Sequence, residues 1–355
     1  MNWILTMQVK IVKNKSYITD CEGPLTLNDN AFEIAESFLK DGGELFKILS
    51  LYDDYLVDIV KKEGYKAGNT LKLIVPFFLE EGLTNDDMVD FSSENISTVN
   101  YSEFLVDYLK NSMNFFIVST SYTAYIKALA DYIGVPFENT FYTNLNIDDL
   151  VITDEEKLKI REFKKSILEN PEDYEMLDNI FFNEIPKMSF YPKLKEVSVV
   201  GGEGKKIAIE NLIESRNIDK NEILYIGDSI TDVEPLSFAK ENNGVSISFN
   251  GNQYSLKAAE IAVVSSSAII SIIIADIFNR FDKNAVIDFI NKYNEGIDIN
   301  QLFDEYGIDD ELIDKFSSDD LILIDIIKEA NFNEILEKSS EMRNTIRGKA
   351  IGALG

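Results

Sequence analysis

Five acidic or hydroxyl residues of the sequence stand where apolar runs end in turns. Asp20 and Glu22 follow the first run, Ser119 follows the second, and Asp228 and Asp232 follow a third. A carboxylate beside a buried strand is costly unless it binds something, and acids brought together raise each other's pKa values. A divalent cation resolves that conflict, and an oxygen-only ligand set favours Mg²⁺ over zinc or copper. We therefore expect these residues to form a magnesium site.

The composition excludes many other kinds of chemistry. The chain of 355 residues has a formal net charge of −28, which disfavours binding to nucleic acid or to anionic membranes. It contains no histidine, so triads with a histidine base and zinc sites with a histidine ligand are excluded. Its single cysteine, Cys21, cannot form an internal disulfide, which suits a reducing cytoplasm.

The sequence offers no segment for crossing a membrane. Residues 1–7 are apolar but too short for a signal-peptide core. The longest apolar stretch, 261–278, contains four serines and Asp276, whereas a spanning helix needs about 20 mostly apolar residues. We interpret this stretch as a strand followed by a buried helix, and we expect a cytoplasmic protein without direct membrane insertion.

The order of apolar patterns predicts an α/β fold. Helical patterns separate five short strand-like runs, which are residues 17–19, 115–118, 223–226, 245–249 and 261–264. Such an order is typical of an open, doubly wound parallel sheet with helices on both faces. Ligands of these sheets bind at the carboxyl ends of the strands, where the polar residues fall.

Two helical segments and a tail interrupt or extend this core. We expect the core to consist of residues 1–27, 100–150 and 196–266, with helical inserts at 28–99 and 151–195. Residues 267–355 show only helical patterning and no recognisable chemistry, so they are predicted to form a helical C-terminal extension.

Four motifs, in order and in the right context, resemble those of the haloacid dehalogenase (HAD) superfamily, on its phosphoserine phosphatase-like branch. The family's Asp-x-Asp-Gly start compares with Asp20-Cys21-Glu22-Gly23, and its strand ending in Ser or Thr compares with Ser119. Its helix-opening lysine compares with Lys205, and its Gly-Asp-x-x-x-Asp motif compares with residues 227–232. The resemblance implies a HAD-like (Rossmannoid) fold in which residues 28–99 form a cap over the active site.

The resemblance also implies a role for each catalytic residue. Asp20 would be the nucleophile that forms an aspartyl-phosphate, and Glu22 would be the acid and then the base. Ser119 and Lys205 would bind the substrate phosphate. The expected activity is a Mg²⁺-dependent phosphomonoester hydrolase that acts on a small phosphorylated metabolite.

The resemblance assigns the remaining site residues to metal and phosphate. Asp20, Asp228 and the backbone carbonyl of Glu22 would hold Mg²⁺, while Asp232 would orient those ligands. Asn250 follows the fourth predicted strand at a position where related proteins often have an asparagine beside the active site. It is either a phosphate-binding or loop-ordering residue, or it belongs to an ordinary Asn-Gly turn.

Two features leave an alternative role open. Glu22 stands where the family usually has aspartate, so a catalytically silent relative is the competing interpretation. The stretch 19–30, the acidic composition and the helical tail also resemble an archaeal HAD-like subunit of the energy-converting hydrogenase A complex. That resemblance implies an accessory subunit of a membrane hydrogenase complex as the alternative function.

The arginines bear on the substrate and on the tail. Phosphoserine phosphatases typically grip the substrate carboxylate with a cap arginine, but none of the five arginines lies between residues 28 and 100. This argues against phosphoserine as the substrate. The segment 341–349 is locally basic and includes Arg343 and Arg347, and we interpret it as a frayed terminus or a docking peptide.

Overall fold

A computed structural model describes residues 15–318 and 320–352 of the chain. Seven strands form one sheet in the order β3-β2-β1-β4-β5-β6-β7. The strands are β1 Ser16–Thr19, β2 Asn114–Tyr122, β3 Thr140–Thr143, β4 Ile223–Gly227, β5 Val245–Phe249, β6 Ile261–Ser265 and β7 Leu321–Ile326. The first six strands are all parallel to one another, and β7 is antiparallel to β6. The α/β class predicted from the sequence is confirmed.

Eighteen α-helices occur in the described residues, together with short 3₁₀ and π segments. They are α1 Asn30–Phe38, α2 Gly42–Asp54, α3 Thr70–Leu73, α4 Val75–Glu81, α5 Asn85–Glu94, α6 Ser102–Leu109, α7 Thr123–Ile133, α8 Asp154–Glu169, α9 Tyr174–Asn179, α10 Tyr191–Glu196, α11 Glu203–Arg216, α12 Val233–Glu241, α13 Gln253–Ala258, α14 Ile269–Arg280, α15 Lys283–Asn294, α16 Ile299–Tyr306, α17 Asp310–Lys315 and α18 Phe332–Gly352. The last is kinked at Gly348, whose φ is 76°.

The central strands are apolar because both faces of the sheet are covered. Successive residues of a strand point to opposite faces, so Tyr17 of β1 packs in one cluster and Ile18 in another. The first cluster includes residues of α6, α7, α14 and α15, and the second includes residues of α11 and α12. Helices on both faces explain why these strands form continuous apolar runs.

The two predicted helical inserts share a third apolar cluster. It contains Leu49 of α2 and Phe77 of α4, and also Ile160 and Ile167 of α8. Asp154–Glu169 begins with a capping box, in which Thr153 and Glu156 bind each other's backbone N–H groups. Helices α2 and α4, which precede β2 in the sequence, therefore pack with α8, which follows β3.

The tail departs from the purely helical pattern expected for residues 267–355. Leu321–Ile326 forms β7, which pairs with β6 at the edge of the sheet. A short, mostly apolar run is ambiguous between strand and helix when read alone, and here it forms a strand that pairs with β6. The stretch 261–278 forms β6 and then the buried helix α14, as predicted.

Among residues 15–318 and 320–352, no helix combines the length and the apolar character needed to traverse a bilayer. The expectation about the first seven residues concerns a segment outside the described residues.

Candidate active site

The three central strands bring Asp20, Ser119 and Asp228 to one edge of the sheet. β2, β1 and β4 are adjacent and parallel, so their carboxyl ends coincide. Asp20 directly follows β1 and Asp228 directly follows β4, while Ser119 lies within β2, where its pairing with β3 becomes irregular. All three residues are buried. The sequence prediction that these groups meet is therefore realised in the geometry.

Lys205 bridges two of the acids without itself lining the pocket. It lies in the first turn of α11 and is fully buried. Its Nζ is 2.6 Å from Oδ2 of Asp20 and 2.8 Å from Oδ1 of Asp232. Burial lowers the pKa of Lys205, but the two carboxylates outweigh it and hold the pKa above its usual value. Lys205 is thus a permanent positive charge beside Asp20.

Asp232 is held in place by hydrogen bonds to both carboxylate oxygens. Its Oδ2 accepts from the backbone N–H groups of Asp228 and Ser229, each at 3.0 Å. Its Oδ1 accepts from the hydroxyl of Tyr225 at 2.7 Å, in addition to Lys205. Burial raises the pKa of Asp232, but Lys205 and these donors keep it below the usual value. Asp232 therefore stays ionised and fixes the turn that carries Asp228.

Asp20, Asp228 and Asp232 have carboxylate oxygens that suit a divalent cation. One oxygen from each lies within 4.8 Å of the others, and all three residues are buried. Burial raises the pKa of Asp20 to about 7, and the neighbouring Asp232 and Asp228 carboxylates add to the rise while Lys205 opposes it. The chemistry of this donor set fits Mg²⁺, because this ion prefers hard oxygen ligands such as carboxylates.

Two glycines make the close approach of these acids feasible. Gly23 has φ of 104°, and a Cβ at its position would lie 2.4 Å from Oδ2 of Asp228. A Cβ at Gly227 would lie 2.4 Å from Cγ of Asp232. Any larger residue at either position would push an acid out of the cluster, which explains the glycine in both motifs.

Glu22 and Ser119 line the same pocket as Asp20. Oε1 of Glu22 accepts a hydrogen bond of 2.8 Å from the backbone N–H of Asn30, and the side chain is not one of the three clustered acids. Burial raises the pKa of Glu22 well above its usual value, and Asp29 adds to the effect. Ser119 donates to the hydroxyl of Ser121 at 3.1 Å.

The side-chain amide of Asn250 bonds to the backbone of Ser265, which favours the loop-ordering interpretation over the phosphate-binding one. Its amide nitrogen donates to the carbonyl of Ser265 at 2.7 Å, and its Oδ1 accepts from the backbone N–H of Ser265 at 3.0 Å. It is absent from the residues that line the pocket. Asn250 instead joins the ends of β5 and β6, which is the loop-ordering role that the sequence left open.

The C-terminal helix adds two arginines that sequence reasoning did not place in the site. Nη1 of Arg343 is 2.5 Å from Oδ2 of Asp228, and Nη1 of Arg347 is 3.2 Å from the same oxygen. The interpretation of 341–349 as a frayed terminus is therefore wrong, while the docking-peptide interpretation stays a prediction. The i, i+4 spacing of two arginines in an acidic chain was the available signal, because it puts both on one helix face.

The pocket lies between the sheet edge, the helical inserts and α18. Its lining includes Asp53 and Thr70 from the segment predicted to be a cap, and Arg343 and Arg347 from α18. Its charged lining residues are Asp20, Glu22, Asp29, Asp53, Asp54 and Asp228 with the two arginines. A cluster of ionisable groups with shifted pKa values in a cleft is typical of an active site.

The chain belongs to the haloacid dehalogenase-like hydrolases, because the model of that family matches residues 84–273, just over half of its length. The matched segment includes Ser119, Lys205, Asp228 and Asp232, and it begins after Asp20. A search of curated protein sequences finds no match.

Several solved structures resemble the chain. A gene product of Archaeoglobus fulgidus is 28% identical with a TM-score of 0.80, and the match covers 97% of this chain and 99% of that one. A phosphoserine phosphatase solved as a phospho-aspartyl intermediate analogue is 15% identical with a TM-score of 0.46, covering 70% of this chain and 93% of that one. A substrate-bound phosphoserine phosphatase is also 15% identical, with a TM-score of 0.46 over 70% and 92% of the two chains. Similarity as low as that of the two phosphatases adds nothing on activity.

Proposed function

We propose that the protein is a Mg²⁺-dependent phosphomonoester hydrolase that acts on a small phosphorylated metabolite through an aspartyl-phosphate. One observation carries this proposal: the buried Lys205 lies 2.6 Å from Asp20 and 2.8 Å from Asp232, in contact with a three-carboxylate cluster. This arrangement supplies a nucleophile, a fixed positive charge and a set of oxygen ligands at one sheet edge.

The reaction proceeds in two displacements at phosphorus. A carboxylate oxygen of Asp20 attacks the phosphorus, and the bond to the ester oxygen breaks. Glu22 donates its proton to the leaving oxygen, and its raised pKa favours the protonated form that this step needs. Water then attacks the phosphorus of the aspartyl-phosphate while Glu22 accepts a proton from it. Inorganic phosphate leaves and Asp20 is restored.

The remaining residues bind and orient the phosphoryl group. The hydroxyl of Ser119 donates a hydrogen bond to a phosphoryl oxygen, and Lys205 keeps Asp20 ionised for attack. Asp20, Asp228 and the Glu22 carbonyl would hold Mg²⁺, with Asp232 fixing the turn around them. When bound, the ion neutralises charge on the carboxylates and the phosphoryl oxygens.

The test of this proposal is turnover of an aryl phosphate by the wild type and by Asp20→Asn, each with and without Mg²⁺. We expect Mg²⁺-dependent turnover that falls by on the order of a thousandfold or more in the variant, because the nucleophile is lost. Borohydride reduction of the wild type during turnover should convert Asp20 to homoserine, which peptide mass spectrometry detects.

Asp131→Asn is the matched control, since Asp131 is an exposed acid on α7 and the charge change is the same. It should retain wild-type turnover. Activity that survives Asp20→Asn, or a wild type inactive toward a broad panel of phosphomonoesters, would contradict the proposal.

The alternative role, as a silent accessory subunit of a membrane hydrogenase complex, stays a prediction from the sequence resemblance, as does the cytoplasmic location. Turnover in the assay above would show that the protein is not catalytically silent. Association with the complex is tested separately, by co-purification of the protein from its native source.

A further inference from the structure

The C-terminal helix α18 reaches into the acid cluster with two guanidinium groups. Arg343 donates through Nη1 to Oδ2 of Asp228 at 2.5 Å and to the Asp228 carbonyl at 3.2 Å. Arg347 donates to the same Oδ2 at 3.2 Å. The arginine side chains are only 6% and 4% exposed, so both contacts lie in a low-dielectric environment.

These contacts bring positive charge to the cluster. Lys205 pairs with Asp20 and Asp232, and the two arginines pair with Asp228. The arginine charges also act on Asp29, which lines the same pocket. Burial of Asp228 without an opposite charge would be strongly unfavourable.

A divalent cation and the arginines compete for the same carboxylate. A cation among the three acids would place two further positive charges close to two buried guanidiniums, where like charges repel far more strongly than in water. It would also supply the charge that Asp228 now obtains from Arg343. The attraction between Arg343 and Asp228 would therefore weaken if a divalent cation bound among the acids.

The two halves of α18 are attached differently. The first half is anchored by the buried Ile335, which packs with Leu256 and Ala262, and by Ser339, whose hydroxyl donates to the Gly251 carbonyl at 2.7 Å. The second half is joined to the core through Arg343 and Arg347. Arg347 also donates to the carbonyls of Leu27 and Asn28, at 3.1 and 2.6 Å.

We propose that the second half of α18 is a latch on the metal site. Arg343, assisted by Arg347, acts as the counter-ion of Asp228 while no divalent cation is bound. Binding of Mg²⁺ displaces the guanidiniums and releases residues 343–352 from the pocket, while the anchored first half stays in place. This inference rests on the Mg²⁺ site of the proposed function, but it does not require phosphatase turnover.

The first test measures Mg²⁺ binding to the metal-free full chain by isothermal titration calorimetry. Arg343→Gln should bind Mg²⁺ about tenfold or more tightly than the wild type, because a buried repulsion is removed. Arg347→Gln should shift affinity in the same direction by less, since its contact with Asp228 is longer. Lys338→Gln is the matched control: it removes the same charge from the same helix at an exposed pair with Glu334, and should leave affinity unchanged.

The second test needs no variant. Hydrogen exchange of the wild type, followed by mass spectrometry, should become faster in residues 343–352 when Mg²⁺ is added, whereas 332–339 should be unaffected. Slower or unchanged exchange in 343–352 would overturn the latch.

The titration separates failure of the latch from failure of the proposed function. If the wild type binds Mg²⁺ and Arg343→Gln binds it equally or more weakly, Arg343 supports the site and the latch is wrong. If neither protein binds Mg²⁺, the metal site itself is wrong and the latch falls with it. If Arg343→Gln binds Mg²⁺ and the wild type does not, the result would support a latch that closes the wild-type site.

Discussion

Asp53 in α2 shows how one buried carboxylate orders a wall of the pocket. Its Oδ2 accepts hydrogen bonds from the backbone N–H groups of Gly68 and Thr70, both at 3.1 Å, and from the Thr70 hydroxyl at 3.0 Å. Burial raises the pKa of Asp53 to about 6, although the hydrogen bonds from Thr70 and Gly68 oppose the rise. The folded protein therefore binds a proton at Asp53 more tightly than the unfolded chain does.

This pKa predicts how stability depends on pH. Because the folded pKa is raised, the stabilising contribution of Asp53 is complete below about pH 4 and is lost as pH rises through about 6. The free energy of unfolding of the metal-free protein should fall over this range, by up to about 3 kcal/mol from Asp53. Asp53→Asn keeps an acceptor oxygen for the three hydrogen bonds but does not ionise, so its curve should be flatter and its stability at pH 8 higher. Urea unfolding at several pH values measures both.

Asp54 and Glu33, whose pKa values burial raises to about 7, contribute in the same direction and leave a residual slope in the variant. Asp131→Asn again provides the control for the loss of one carboxylate from the surface. An Asp53→Asn curve as steep as the wild-type curve would show that Asp53 does not carry the proton.

At this scale the sequence identified the residues near the strand ends but not those from the helix surfaces. Asp20, Ser119 and Asp228 could be brought together from sequence because parallel neighbouring strands must end at one edge. Arg343 could not be placed in the site from sequence. A sequence pattern shows which face of a helix is polar, but it does not show which distant loop that face contacts. Asn250 was ambiguous because a side chain that joins two strand ends looks the same in sequence as one that binds a ligand.

Among the elements, the helical inserts act as one unit although they are separated in sequence. Ile160 of α8 is fully buried in the cluster that also contains residues of α2 and α4. Glu80 at the end of α4 is almost fully buried and pairs with Arg161 of α8. The packing of α8 against α2 and α4 should therefore stabilise the helices that line the pocket.

Ile160→Ala tests this packing. The change removes a buried side chain and leaves a cavity, so we expect the free energy of unfolding to fall by about 2–5 kcal/mol. Leu158→Ala in the same helix is the control, because Leu158 is 58% exposed and its removal should cost little. Urea unfolding followed by circular dichroism measures both. Equal effects of the two substitutions would contradict the shared core.

Strands were predictable where burial on both faces makes them continuously apolar, as in β4, β5 and β6. Two strands escaped prediction for physical reasons. Thr140–Thr143 is short and half polar, and it lies at one edge of the sheet. Leu321–Ile326 pairs with a strand about 60 residues earlier, and such a long-range partner leaves no local signal.

For the whole molecule, charge is the dominant property. The net charge of −28 and the six acids that line the pocket oppose the approach of a phosphate ester, with Arg343 and Arg347 as the lining cations. Salt screens such repulsion, since the Debye length falls from about 30 Å at 0.01 M to about 10 Å at 0.1 M. Encounter with an anionic substrate should therefore be favoured by moderate ionic strength.

The measurement is kcat/KM for an aryl phosphate between low and moderate salt, with Mg²⁺ kept saturating. We expect kcat/KM to rise severalfold with salt, the opposite of an enzyme that attracts its substrate electrostatically. Sodium chloride and potassium chloride should act alike if screening is the cause. A steady fall with salt would indicate that the two arginines, rather than the acidic surface, govern encounter.

Segments from near both ends of the described chain meet at the pocket. The carbonyls of Leu27 and Asn28 accept hydrogen bonds from Arg347. Closing so long a loop is entropically costly, and contacts between distant segments form slowly during folding. Local helices such as α8 can appear within microseconds, but the counter-ions of Asp228 arrive only after the first and last segments have met. Refolding should therefore restore helical content well before it restores a closed pocket.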